Sequence, residues 1–460
     1  MTATGLRRGL ALLVAGAFFM EILDGTVIAP AAPHIAAELG VAPVDINVAI
    51  TGYVLTLAVL IPISGWLADR FGARRVFTLA LVIFTVASAA CAAAPNLPVL
   101  VATRVLQGVG GATMVPVGRL AVLRSTEKSD LVRAIAFLTW PALVAPVIAP
   151  AVGGLLSSYA SWRWIFLINV PLGLAGVLLA RRLVPELRGD VPKRLDVRGF
   201  VLVAVGVAAL VVGLEALGAQ RPAWAVAAVG LVTAAVALGL AVRHLLRTPR
   251  PLVDLRVLRI ATYRITASAG TVYRAVITAI PFLLPLLFQL GFGWTAAQAG
   301  LVVIALFVGN VGIKPVTTPL MRRLGIRAVL LGAVAGGVAC LFGMAFLQAS
   351  TPLPVLLGLL LLSGVFRSIG FTAFNSVAFA DVEPDRMSHA NTLNATLQEL
   401  GAGLGVAVGA LLVRLGEAIG GVADEPFRLA FVVLAVLLAV PAVEGARLSR
   451  QAGDAVTGRG

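Results

Sequence analysis

Residues 65–75 read Gly65-Trp66-Leu67-Ala68-Asp69-Arg70-Phe71-Gly72-Ala73-Arg74-Arg75, and residues 318–327 read Thr318-Pro319-Leu320-Met321-Arg322-Arg323-Leu324-Gly325-Ile326-Arg327. Leu67, Arg70, Gly72 and Arg74 recur as Leu320, Arg323, Gly325 and Arg327, an offset of 253. A second match sets Gly153-Gly154-Leu155-Leu156 against Gly409-Ala410-Leu411-Leu412 at an offset of 256. A single match of this kind arises by chance between low-complexity apolar segments. Two at nearly equal offsets predict a chain built from two related halves. Each basic turn follows a long apolar run, so the repeated unit is a set of membrane helices with a charged turn on one surface.

The rest of the chain agrees. Of its 460 residues 60 % are hydrophobic and 12 % charged, and the mean hydropathy is +1.01. A soluble chain is about 25 % charged, so a water-soluble enzyme, a disordered regulator and a disulfide scaffold are excluded. The 48 glycines and 25 prolines suit bilayer helices better than alternating strands. A spanning helix needs about 20 apolar residues. Fourteen segments qualify: 9–33, 47–67, 76–94, 98–123, 134–157 and 163–180, then 199–218 and 223–242, then 265–290, 296–320, 328–348, 353–380, 389–413 and 427–446. Arg7 and Arg8 before the first run suggest a signal peptide, but the run is too long and is interrupted by Glu21 and Asp24, so it is read as a helix that stays. The expectation is an all-α polytopic protein in three parts: a six-helix bundle over 1–183, an inserted pair with its connectors over 184–260, and a second six-helix bundle over 261–460.

The formal charge of +15 marks topology rather than nucleic-acid binding, because no basic stripe carries interleaved aromatics. With the N-terminus in the cytoplasm, 27 of the Lys and Arg residues fall on the cytoplasmic side and four on the other. That split predicts a multi-pass protein of the cell membrane with both termini in the cytoplasm. Cys91 and Cys340 lie singly in apolar runs, which gives neither a metal-ligand spacing nor a disulfide framework. No Gly-x-x-x-x-Gly-Lys-Ser/Thr motif is present, so an ATP-driven pump in one chain is not expected. The expectation is no enzyme activity, no cofactor and no metal.

The sequence resembles the major facilitator superfamily, specifically its 14-helix drug:proton antiporters, over the whole chain. The first turn is similar to that family's signature between helices 2 and 3, and the resemblance makes Gly65, Asp69, Arg70, Gly72, Arg74 and Arg75 a gate element, with Asp69 capping or pairing across the gate. Ala73 departs from the basic residue usual there, and Arg75 follows at once. Arg104-Val105-Leu106-Gln107-Gly108 resembles the motif whose Arg is associated with proton transfer. Residues 145–154, carrying Ala145, Pro146, Ala149, Pro150, Gly153 and Gly154, resemble the antiporter motif, with Ala145 and Ala149 where Gly is usual. Leu23–Val27, Trp162–Phe166 and Asn169–Pro171 look like segments of the 14-helix branch, although Ala29 replaces its usual Asn. In the second half Arg322 stands where the first has Asp69, so the two gates differ.

Apart from Arg163, Arg428 and Glu444 at span edges, which can reach water, nine charged residues fall inside the expected spans: Glu21, Asp24, Arg104, Arg119, Glu215, Arg274, Lys314, Arg367 and Glu399. Each costs at least about 2.5–3.5 kcal/mol at the centre of an isolated helix. Arg119, Lys314 and Glu215 lie near helix ends, where reaching out to the headgroups is the simplest reading. Glu21 and Asp24 are i and i+3 on one helix face, and Asp24 lies about 22 Å along its helix, past the midplane of a core about 30 Å thick. Two carboxylates so placed form a site able to take up and release a proton, so Asp24 and Glu21, with Arg104 and Glu399, are the candidates for proton coupling. The alternative for Asp24 is a structural ion pair with Arg104. Arg274 and Arg367 are deep in the second half, where either could pair with Glu399. Trp140, Gln107, Arg274 and Arg367 are the substrate-cavity candidates. Tyr53, Phe282, Phe288, Phe371 and Phe374 are further aromatics able to stack on a planar substrate, although helix packing explains each of them as well.

The expected function is proton-coupled export of hydrophobic or cationic drug-like molecules by alternating access, from a monomer in the lipid bilayer. The alternatives are a symporter or a lipid or metabolite flippase on the same fold, and, in another class, a non-transporting receptor or scaffold. The last has no need of intramembrane carboxylates.

Overall fold

The computed structural model describes residues 8–41, 43–127, 130–188, 194–218, 223–249, 251–419 and 425–449; the side chains of Ala29, Trp140 and Pro150, among a few others within helices, lie outside the described set. Fourteen long helices follow one another. The first six are α1 (Arg8–Leu39), α2 (Asn47–Phe71), α3 (Ala73–Ala92), α4 (Leu97–Ser125), α5 (Leu131–Tyr159) and α6 (Trp164–Leu183). The pair is α7 (Val197–Gly218) and α8 (Trp224–Arg247). The last six are α9 (Ala261–Gly291), α10 (Ala296–Gly312, continued by Lys314–Leu324), α11 (Ile326–Ala345), α12 (Leu353–Ala378), α13 (Met387–Ile419) and α14 (Glu425–Ala446). Among the described residues there is no strand. Twelve of the helices are apolar and long enough to span a bilayer, α10 does so with a 48° bend, and α5 is a further 29-residue helix.

The two halves repeat in geometry as well as in sequence. Gly72 ends α2 at φ +90°, ψ 137°, and Gly325 ends α10 at φ +82°, ψ 153°. An L side chain rarely adopts this backbone, so glycine is what makes both turns possible. Beyond each turn an arginine closes the sixth helix of its own half: Arg74 Nε donates to Val184 O at 2.6 Å, and Arg327 Nη2 to Ala446 O at 2.8 Å. These free carbonyls at a helix C-terminus attract a cation. Pro62 and Pro315 stand at the same offset, and α2 is irregular at Ile61–Ile63 where α10 bends at Ile313.

Helix contacts repeat too. A side chain at Gly108 of α4 would meet the Tyr53 carbonyl of α2 at 3.0 Å, and one at Gly364 of α12 would strike the Leu306 carbonyl of α10. In α5, Gly153 lies on the Val27 carbonyl of α1, 2.6 Å from where a Cβ would stand, and in α13 Gly409 faces Ala279 of α9. Small residues let backbones approach where hydrophobicity alone gives no force between helices. The inserted pair packs on itself through Gly206, Gly213 and Gly230 and touches α2 and α13 from outside. Its other faces expose valines such as Val205, Val229 and Val236, as expected for lipid contact. Glu215 accepts a hydrogen bond from Thr51 at 2.9 Å on that exposed flank.

Candidate functional site

A cavity of about 580 Å³ lies between the halves. α1, α2 and α5 line it from one side, and α9, α10, α12 and α13 from the other. Helix direction places its opening. The lining of α1 starts at Phe18, well above Arg8, and that of α2 stops at Leu57, well before Phe71; on α10 it runs only from Gly300 to Phe307. The cavity therefore opens on the face away from the described chain ends. Toward the other face the halves are joined. Arg119 Nη2 of α4 donates to Asn375 Oδ1 of α12 at 2.6 Å, Asn391 Nδ2 of α13 to Pro116 O of α4 at 2.9 Å, and Ser388 Oγ of α13 to Gly65 O of α2 at 3.2 Å. Arg322 of α10 lies 3.9 Å from Asp130, which precedes α5.

Four charged residues face this space: Glu21, Arg274, Arg367 and Glu399. α9 carries Arg274 between two stretches of wider, i→i+5 turns, Thr266–Gly270 and Leu287–Gly291, which also bracket Pro281 and Pro285. The Arg274 guanidinium sits 5.1 Å from the Phe371 ring centre, and that of Arg367 5.9 Å from Phe307. Neither arginine pairs with Glu399: among the described residues neither makes an ion pair. Arg274 Nε, Arg367 Nε and Nη1, and Glu21 Oε2 are buried without a hydrogen-bond partner.

Asp24 and Arg104 are elsewhere. Both side chains are 0 % exposed and form an ion pair with each other. Gln107 Nε2 donates to Asp24 Oδ1 at 2.8 Å and to Ser88 Oγ at 2.6 Å, and Asn169 Nδ2 donates to Asp24 Oδ1 at 2.9 Å. Tyr53 separates this network from the cavity. Its ring lies 4.1 Å from the Arg104 guanidinium, its hydroxyl donates to Glu21 O at 3.3 Å, and it lines the cavity wall. Glu21 and Asp24 thus share a helix face by spacing, yet Glu21 reaches the cavity and Asp24 the sealed network. Gln107 is corrected with them: it is not a cavity residue, because Asp24 of α1, Ser88 and Cys91 of α3 and Arg104 of α4 converge on it instead.

The other motif residues divide similarly. Asp69 does not bridge the halves; Arg124 of the same half holds it at 3.0 Å, and within the turn it is Gly65 that meets the other half. Arg70 and Arg75 are exposed. Of the antiporter motif, Ala145 and Ala149 are fully buried, Pro146 lines the cavity, Gly153 lies on α1 and Gly154 has open space. The side chains of Trp140 and Pro150 lie outside the described residues. Tyr53 and Phe371 do line the cavity, whereas Phe288 stacks on Trp294 and Phe374 packs on Tyr273. Arg119 and Lys314 do not reach out to headgroups. Arg119 bridges the halves, and Lys314 Nζ, 6 % exposed as a residue, donates to Thr372 Oγ1 at 2.7 Å. Position along a helix set their depth, but only the neighbouring helix fixed their direction. Phe307, Gln398 and Asn169 were not singled out as site residues. The polar Asn169 and Gln398 within apolar helices were the available signal; nothing distinguished Phe307 from its neighbours.

The Major Facilitator Superfamily model matches residues 14–406 and, in a second alignment, 266–448. A protein of Serratia proteamaculans (strain 568), provisionally named multidrug resistance protein MdtD, is 38 % identical over 451 residues, 95 % of this chain and 92 % of that one. The protein of the same name in Klebsiella pneumoniae is 36 % identical over 96 % of this chain and 95 % of its own length. Among solved structures, the human organic anion transporter MFSD10 aligns at TM-score 0.66 and 16 % identity over 96 % of this chain and 100 % of that one. The proton:xylose symporter XylE aligns at 0.66 and 12 % over 97 % of both. At those identities the two structures speak for the fold alone. Repeat, cavity, family match and full-length relatives agree: the chain belongs to the Major Facilitator Superfamily and is a multi-pass membrane transporter.

Proposed function

We propose that the protein exports drug-like small molecules by alternating access, driven by protons, with Glu21 and Glu399 as the proton-carrying groups. The observation that carries this reading is the cavity between the halves, open on one face and closed on the other by side-chain bonds that join the halves. With the termini in the cytoplasm, as the basic residues argue, this is the outward-open state. In the inward-open state Arg119–Asn375, Asn391–Pro116 and Ser388–Gly65 separate, and the far ends of α1, α2, α9 and α10 close. Glu21 and Glu399 are the carboxylates that solvent in the cavity can reach, so they exchange protons with it directly. The sealed Asp24–Arg104 pair sits behind Tyr53 and is better suited to holding α1, α3, α4 and α6 together as one moving body. Proton entry releases about 2.3 kcal/mol per charge per 100 mV of potential, enough for one or two protons to support a useful gradient. The relatives' multidrug-resistance names support the cargo class.

The test is transport in proteoliposomes with an imposed pH gradient. Wild type should move a multidrug substrate such as ethidium or norfloxacin against its gradient, and Glu21→Gln and Glu399→Gln should reduce gradient-driven movement while leaving downhill exchange. Accumulation that ignores the pH gradient would remove proton coupling from the proposal.

A further inference from the structure

We infer that the cavity binds the acidic group of its substrate on Arg274 and Arg367, so that the cargo class includes organic anions with an aromatic body. This deepens the transport reading and rests on the cavity being the transport site. The family resemblance implied hydrophobic or cationic cargo; the cavity's fixed charges point the other way. Arg274 Nε and Arg367 Nε and Nη1 are buried N–H donors with no acceptor, and both residues line the cavity. A buried donor left unmade costs about 1–3 kcal/mol, more when the group is charged.

The four charged groups differ in how that cost can be removed. A carboxylate is neutralised by a proton, and Glu21 and Glu399 both face the open cavity. A guanidinium keeps its charge in proteins, so only an acceptor brought from outside satisfies it. When the carboxylates hold protons the cavity carries two positive charges and three unmet N–H donors; when they do not, it is neutral overall. It reaches no net negative state that would favour a cation. The planar guanidinium fork suits a carboxylate, sulfonate or phosphate oxygen pair. Each fork also leans on a phenylalanine ring, Phe371 beside Arg274 and Phe307 beside Arg367. An aromatic body attached to the acid would meet those rings. An anion leaving a cell that is negative inside also moves down the electrical gradient.

The experiment uses three probes of one shape with the purified full-length protein in detergent: 2-naphthoate, 2-naphthamide and 2-naphthylmethylammonium, with binding read by calorimetry. The expected result is that naphthoate binds about ten- to a hundredfold tighter than the amide, and the ammonium more weakly than either. Arg274→Gln and Arg367→Gln should each remove most of that preference, and Arg274→Lys should keep part of it. Equal affinity for acid and amide, tighter binding of the ammonium, or no binding of any probe would overturn the inference on wild type alone, whatever the variants do to folding. Ethidium transport under a pH gradient is measured alongside. If it proceeds while naphthoate shows no preference, export stands and the anion site falls; if naphthoate binds through the arginines while no compound is moved, the site stands and export falls.

Discussion

The first half of the molecule seals its Asp24–Arg104 pair and turns only Glu21 to the cavity, whereas the second half sets Arg274, Arg367 and Glu399 on the cavity wall. Asp24, Arg104, Gln107, Asn169 and Ser88 form one buried cluster in α1, α3, α4 and α6. At the repeat offsets of 253 and 256 the second half has Ile277 or Ile280 for Asp24 and, at 256, Leu360 for Arg104, all buried and apolar. The second half instead places Arg274, Arg367 and Glu399 on the cavity wall, where the first half has Glu21 or Phe18 opposite Arg274 and Met114 or Gly111 opposite Arg367. One scaffold therefore packs stably with or without a buried ion pair. The lesson is that the pair is not needed for the fold as such. Once present, however, each partner depends on the other, because a lone charge in that position has no solvent to turn to.

The largest effect should come from splitting that pair. Asp24→Asn or Arg104→Leu alone is expected to cost about 3–5 kcal/mol, seen as a collapse of thermal stability in detergent. The double change Asp24→Ile with Arg104→Leu copies the second half and should recover most of it. A single Asp24→Asn that melts like wild type but no longer couples transport to protons would reverse the assignment and make Asp24 the coupling carboxylate.

Next in size are the repeated glycines. Gly108→Ala and Gly364→Ala push a methyl toward the carbonyls of Tyr53 and Leu306, and each should cost about 1–3 kcal/mol by overpacking. Similar melting shifts from the two would sharpen the equivalence of the halves; a large shift from one alone would break it.

The cavity carboxylates should behave in the opposite way to Asp24. Glu399→Gln and Glu21→Gln should each lower pH-driven transport about a hundredfold, the low end of the usual range for losing a proton-transfer group, with stability changed by less than about 1 kcal/mol because cavity solvent accommodates the amide. Transport rates and melting curves on the same preparations decide it.

The gates predict smaller differences. Asp69 and Arg124, 3.0 Å apart and 16 % and 14 % exposed, form a pair within one half. Asp69→Asn should cost about 1 kcal/mol or less and slow transport a few-fold with membrane insertion intact. Arg322→Gln, whose partner Asp130 is across the halves at 3.9 Å, should change stability less and shift the balance of the two faces, visible as altered cross-linking between α5 and α10. The smallest effect concerns Asp196, just before α7. Burial would raise its carboxyl, but hydrogen bonds from Gly199 N–H, His244 and Leu252 N–H outweigh that and hold it below the usual range. A depressed carboxyl contributes its stability above its unfolded value, about 3.9, and loses it only on further acidification. The melting difference between wild type and Asp196→Asn should therefore still be present at pH 5 and shrink as the pH falls below about 4.

Much of the fold was legible because a membrane restricts the choices. Long apolar runs have few alternatives to spanning helices, so the fourteen segments, the insertion at α7 and α8 and the twofold repeat could be read from hydropathy and from two matched turns. The bend in α10 could not, since Pro315 alone does not say whether a helix kinks or straightens around it. The site was only partly legible. Depth along a helix follows from counting residues, which is why Asp24, Arg104, Arg274, Arg367 and Glu399 all stood out as intramembrane charges. Direction does not follow. Glu21 and Asp24, three residues apart, point into different surroundings because α2 inserts Tyr53 between them.

The sequence by itself determined the class of molecule, the number and order of its helices, the two related halves and the set of costly charges. Hydropathy acts locally along the chain, and a charge in an apolar run is conspicuous wherever it ends up. Only the tertiary structure decided which charges meet one another and which meet solvent. That depends on the rotation of each helix against its neighbours, fixed by close glycine contacts such as Gly108 on α2 and Gly153 on α1. The same packing sealed Asp24 with Arg104, joined Arg119 to Asn375 across the halves and left Arg274 and Arg367 facing an open cavity with unmet donors.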